Sequence, residues 1–127
     1  MLTPVDDGVS VVVCTTCRAP DAGDGAALAA ALHAVRAGDP TLYGVAVHGM
    51  ACLFACRDAC TVHLRAPGKI AYVLGRFVPG TEAARAILDY ARAYAASEDG
   101  EVAFADWPEG VKGHFITRTP PPSFIVE

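Results

Sequence analysis

The chain has 127 residues, a hydrophobic fraction of 53% and a mean hydropathy of +0.33. That suits one domain, 1–127, whose core is built from modest side chains, alanine above all. Its formal net charge is −4 and its ten Lys and Arg are scattered, which argues against the basic stripe of a nucleic-acid binder. No apolar run approaches the ~20 residues that span a bilayer. "MLTPVDDGVS" lacks the basic and apolar regions of a secretory signal, so the expectation is a cytoplasmic protein with no membrane partner.

In chain order, Val9 to Cys14, "VSVVVC", predicts a buried strand because of its β-branched run. A loop with Pro20, Gly23 and Gly25 follows. Asp24 is the expected N-cap of a helix to about Ala37, with Leu28, Ala31, Leu32 and Val35 on one face. Gly38, Asp39 and Pro40 stop it. Leu42 to Val47 predicts a second strand, weakened by Gly44. Thr61–Leu64 and Ile70–Leu74, joined by the turn "RAPGK", predict a hairpin. Thr81 is the expected cap of a second helix to about Ala96, with Ala84, Ile87, Leu88, Ala91, Tyr94 and Ala95 forming its apolar stripe. The core is thus expected over about 9–97. The tail, 98–127, holds "DWPEG" and "TPPPS" and is expected to be irregular, wrapping the surface or packing on a neighbour.

The order β-α-β-β-β-α, a βαβ unit followed by a hairpin and a helix, predicts an α/β fold of thioredoxin-like type with a central mixed four-stranded sheet. The five cysteines fall in two short stretches. "VVVCTTCRAP" holds Cys14 and Cys17, and "ACLFACRDAC" holds Cys52, Cys56 and Cys60. Each stretch follows one strand of the expected parallel pair, so both lie at one edge of the sheet. Cysteines that only fill a core have no reason to gather this way. In a cytoplasmic protein the pattern points to metal or redox chemistry.

Four thiolates from two adjacent loops make the usual ligand set of a [2Fe–2S] cluster, two for each iron. Three other readings stand beside it. A structural zinc site also uses C-x₂-C, although the second group here is C-x₃-C. A redox pair at Cys14 and Cys17 fits C-x-x-C after a strand, yet leaves Cys52, Cys56 and Cys60 unexplained. Five inert core thiols are the remaining reading.

"VVVCTTC", "ACLFACRDACTVHL" and "GKIAYVLG" resemble the thioredoxin-like [2Fe–2S] ferredoxins, a family that includes the small cluster-bearing subunit of respiratory complex I. Cys52, Leu53 and Cys56 match that family's second cysteine pair, and Cys14 and Cys17 stand where its first pair would be. The resemblance implies a [2Fe–2S] cluster on Cys14, Cys17, Cys52 and Cys56. It also implies one-electron transfer with a redox partner protein, or iron–sulfur sensing, and a homodimer. Two features depart from it: the first pair is closer together, and Cys60 replaces a proline. With Cys60, "PGK", Tyr72–Gly75 and "WPE", residues 9–110 are more similar to a bacterial family described as a domain of unknown function. That family is a predicted metal binder, with some members near cobalamin-related genes. It implies the alternative of a thiolate protein for zinc, cobalt or copper. Cys60 could be a ligand, an alternative ligand or a bystander.

His48 lies four residues before Cys52 and could hydrogen-bond near the metal, or simply close a strand. His33 and His63 are expected to be structural or exposed, and His114 carries no signal. Arg57 and Asp58 form either a docking rim or a solvated turn. Trp107 is expected to anchor the tail, with an interface as the other use. No Ser-His-Asp set, P-loop or paired carboxylates occur, so an electron carrier or metal binder is expected rather than an enzyme.

Overall fold

The computed structural model describes residues 2–5, 8–19 and 23–127; the loop expected around Pro20 falls partly outside them. Strand β1 (Ser10–Cys14) is buried along its whole length, as expected of a central β-branched strand. A short antiparallel ribbon of β2 (Arg18–Ala19) and β3 (Gly23–Asp24) leads into α1 (Gly25–Ala37). Asp24 caps α1 as its sequence position predicts, its carboxylate accepting from the Ala27 N–H at 2.9 Å. Leu28 and Leu32 are fully buried on the inner face, each stabilising the fold by about 1.5–3 kcal/mol.

The second long strand, β4, spans Ala46–Met50 rather than Leu42–Val47. Pro40–Leu42 forms a 3₁₀ turn instead, because Asp39 caps it and the Tyr43 N–H returns to the Pro40 carbonyl. The Arg36 guanidinium then binds the carbonyls of Tyr43 and Val45 and holds the approach to β4. Strands β5 (Val62–Arg65) and β6 (Ala71–Leu74) form the expected hairpin. Helix α2 (Thr81–Ala96) has Gly80 as its N-cap with no side-chain bond, so Thr81 opens the helix rather than capping it.

The tail is not wholly irregular. Phe115–Thr119 forms a further strand, β7, paired antiparallel with β6. The sheet therefore has five strands, not four, in the order β4-β1-β5-β6-β7, with β1 and β4 parallel and the other pairs antiparallel. Helix α1 packs on β1, β4 and α2, placing both helices on one face. There Val11, Val47, Leu64 and Tyr72 lie in register across four strands. The other face carries half-buried Ala46, His48, His63 and Val73.

The predicted stripe on α2 is buried except for half-buried Ala95, and Ala86 and Tyr90 are buried as well. The tail causes this second buried side. Trp107 packs edge-on to Tyr90, and buried Val111 lies in the turn against α2. No helix among the described residues is long and apolar enough to cross a membrane.

Candidate metal centre

Parallel pairing sets Cys14, the last residue of β1, opposite Met50, the last residue of β4. Both cysteine groups therefore leave the sheet at one edge, and β5 begins there. The loops are joined directly. The Thr15 N–H donates to the Met50 carbonyl at 2.8 Å, and the Thr16 hydroxyl donates to the Ala51 carbonyl. The Cys14 N–H donates to the Thr61 carbonyl at 3.1 Å, and the Gly25 N–H to the Cys17 carbonyl at 2.7 Å. A Cβ at Gly25 would overlap the Cys14 carbonyl, so the start of α1 can sit this close only with glycine.

The sulfurs come as pairs. Cys52 and Cys56 lie 4.0 Å apart, sulfur to sulfur, on the solvent side, Cys52 half-buried and Cys56 exposed. Two thiolates on one tetrahedral metal at ~2.3 Å would be about 3.8 Å apart, so this pair fits a single metal ion's edge as it stands. Cys14 and Cys17 are buried. The Cys14 sulfur is 3.8 Å from the Ala51 carbonyl oxygen, so the inner pair touches the backbone of the outer loop. The Phe54 N–H points at the Cys52 sulfur at 3.3 Å. Among the described residues, no three His, Cys, Asp or Glu side chains are already drawn together around one point. The donor set is two thiol pairs on neighbouring loops, with an amide donor aimed at Cys52. A binuclear centre requires two ligands per iron, and two thiol pairs match that number.

The thiols differ electrostatically. Burial alone would raise Cys14, but hydrogen bonds from Cys17, the Leu53 N–H and Thr16 outweigh it and lower Cys14 to about 7. Cys17 is raised, first by burial and then by sharing its hydrogen bond with Cys14. Cys56 is raised by its hydrogen bond and charge interaction with Cys52, and more weakly by the charge of Cys14 across the gap. Cys60 is fully buried and pushed up to about 11, by burial first and then by the charges of Cys17, Asp24 and Cys14. It belongs to the inner group and lies beneath the pair rather than beside Cys52 and Cys56.

Two neighbours were not legible in the sequence. The buried Thr61 hydroxyl is 3.4 Å from the Cys17 sulfur. Asp58 forms an ion pair with Arg76 at 3.0 Å, and its carbonyl accepts the Arg76 N–H at 2.6 Å, tying the cysteine loop to the end of β6. A threonine after a cysteine is too common to signal contact, and Arg76 lies eighteen residues from its partner.

The remaining candidates separate. His48 shares a sheet face with Cys14 and Met50, one cross-strand pair further in, and its Nε2 is buried without a hydrogen-bond partner among the described residues. His33 is exposed, and half-buried His63 is held low, first by burial and then by Arg65. His114 stacks on Phe77 at 4.4 Å, with its Nδ1 2.8 Å from the Gly75 carbonyl. Trp107 anchors the tail through Nε1–H to the Val102 carbonyl at 2.9 Å.

Comparison with solved structures finds a thioredoxin-like [2Fe–2S] ferredoxin from Aquifex aeolicus with a TM-score of 0.59 and 18% identity. The match covers 94% of this chain and 100% of that one. At that identity the likeness shows the fold, which is thioredoxin-like. No curated protein matches the sequence. A family profile described as "Protein of unknown function (DUF1636)" matches residues 11–121.

Proposed function

The chain belongs to the DUF1636 family of proteins of unknown function, and on that footing we propose that it is a [2Fe–2S] protein of one-electron transfer or iron–sulfur sensing. The carrying observation is the contact of the Cys14 sulfur with the Ala51 carbonyl, next to Cys52, which brings the inner thiol pair to the loop of the outer one. The solved neighbour, itself a [2Fe–2S] ferredoxin, adds support from the fold. When bound, the cluster would take up and return one electron at a time. Cys14 and Cys17 would hold it from the buried side, and Cys52 and Cys56 from the solvent side. The amide donors at Leu53 and Phe54 favour the thiolate form of the sulfurs they meet. Cys60, buried below the inner pair, is the spare thiol. The reading includes a single cytoplasmic domain that meets a redox partner protein and works as a homodimer.

Anaerobic reconstitution with iron and sulfide tests this. The expected product is coloured, with about two irons and two sulfides per chain. Cys14→Ser, Cys17→Ser, Cys52→Ser and Cys56→Ser should each lose the colour, and Cys60→Ser should keep it. A colourless protein with one zinc overturns the reading in favour of a thiolate metal carrier for zinc, cobalt or copper. One observation favours a thiol–disulfide oxidoreductase instead: Cys14 is held near 7 beside Cys17. Insulin reduction lost in Cys14→Ser and kept in Cys52→Ser would establish it.

A further inference from the structure

Three arginines mark the cysteine edge of the sheet. Arg18 follows β1, Arg57 follows β4 and Arg76 follows β6, and all three strands end there. Arg76 is engaged by Asp58, whereas Arg18 and Arg57 are exposed and form no ion pair among the described residues. This local sign opposes that of the whole chain. At this edge the three arginines stand with two acids, Asp58, which Arg76 engages, and Asp24, which lies across the β2–β3 ribbon from Arg18, while the chain as a whole has ten bases against fourteen acids. The opposite edge is acidic, with Glu98, Asp99, Glu101 and Glu127 lining a cleft beside the β5–β6 turn.

An aromatic side chain shares this edge. Phe54, at the tip of the loop between Cys52 and Cys56, is 96% exposed, and Met50 nearby is 47% exposed. Phe54 holds a left-handed backbone, φ 58°, which aims its N–H at Cys52. Its ring contributes nothing to the core. A fully exposed aromatic ring on the same edge as exposed arginines is the pattern of an interface anchor with steering charges.

We propose that this edge docks a protein partner whose surface presents an apolar recess rimmed by Asp and Glu. Phe54 enters the recess, and Arg18 and Arg57 meet the acids. The proposal deepens the metal-centre reading, since a partner seated there lies against Cys52 and Cys56. The charges raise the rate of encounter and fix orientation, while the ring supplies affinity.

The test is an NMR titration of the ¹⁵N-labelled chain with a synthetic peptide that carries a leucine pair between runs of glutamate. Amide shifts should centre on residues 15–18, 50–57 and 76. Affinity should fall about tenfold between about 20 and about 200 mM salt. Arg57→Glu and Phe54→Ala should each weaken binding about fivefold, and neither side chain is needed for folding. Shifts centred on Arg85, Arg92 or Lys112, or a Phe54→Ala protein that binds like its parent, overturn the docking face. Self-association through this edge in sedimentation runs also overturns it, the occupant then being a second copy. Iron content is measured on the same samples. Edge-centred binding without iron supports the docking face and overturns the metal centre, whereas iron-loaded protein without edge-centred shifts does the reverse.

Discussion

Asp39 joins two helices and a turn through one carboxylate. Oδ1 accepts the N–H of Thr41 at 3.0 Å and its hydroxyl at 2.7 Å, and Oδ2 lies 2.8 Å from Arg85 of α2. The Thr41 hydroxyl first, then Arg85, holds Asp39 down at about 2. A carboxyl depressed in the folded state stabilises the fold at pH above its unfolded value, near 4. That stability is lost as pH falls through the folded value. Urea unfolding of the parent should therefore weaken steeply from about pH 4 to about pH 2. Asp39→Asn should be less stable at neutral pH and show a shallower acid slope. Some slope remains from Asp99, which is lowered first by the Glu101 N–H. An unchanged slope in Asp39→Asn would refute the assignment.

At the scale of the element, α2 ends without a basic residue in its last turn, and a residue from the β5–β6 turn serves instead. Lys69 Nζ donates to the carbonyls of Tyr94 at 3.1 Å and Ala95 at 2.8 Å, and lies 5.5 Å from the centre of the Tyr94 ring. The buried Tyr94 hydroxyl donates back to the Ile70 carbonyl at 2.6 Å. Lys69→Met should cost about 0.5–1 kcal/mol in urea unfolding, with amide protection lost first in the last turn of α2. The elements themselves differ in how far they could be read. The stripe from Ala84 to Tyr94 and the cap at Asp24 rest on local spacing and were visible in the sequence. The start of β4 was not, since it depends on Arg36 reaching the carbonyls of Tyr43 and Val45. The cap at Thr81 failed because that residue is already inside the helix, after Gly80. For the site, the shared edge of Cys14, Cys17, Cys52 and Cys56 followed from parallel pairing. The depth of Cys60 and the contact of Cys17 with Thr61 needed the packed hairpin.

For the whole molecule, β7 decides where the aromatic core closes. "FITRT" sits between His114 and Pro120, and its short alternation does not stand out from a loop. It becomes a strand because β6 offers an unpaired edge and Phe115 packs on Tyr72, Tyr90 and Trp107. A chain ending at Val111 should leave β6 as an open edge over exposed tyrosines. Near-UV circular dichroism should weaken, dye binding to apolar surface should rise, and the shortened chain should aggregate. A monomeric, cooperatively folding product would show that β7 is an accessory.

The direction of β7 has a practical corollary. It enters beside Leu74, near the thiols, and leaves beside Ala71, so Phe124–Glu127 finish against Gly68 and Glu98 at the far end of the sheet. A tether fused to that terminus would hang the molecule with its sulfurs outward. On an electrode or an affinity resin, every copy would turn the loop of Cys52 and Cys56 to the bulk solution, and a bulky fusion partner there would leave it unshaded.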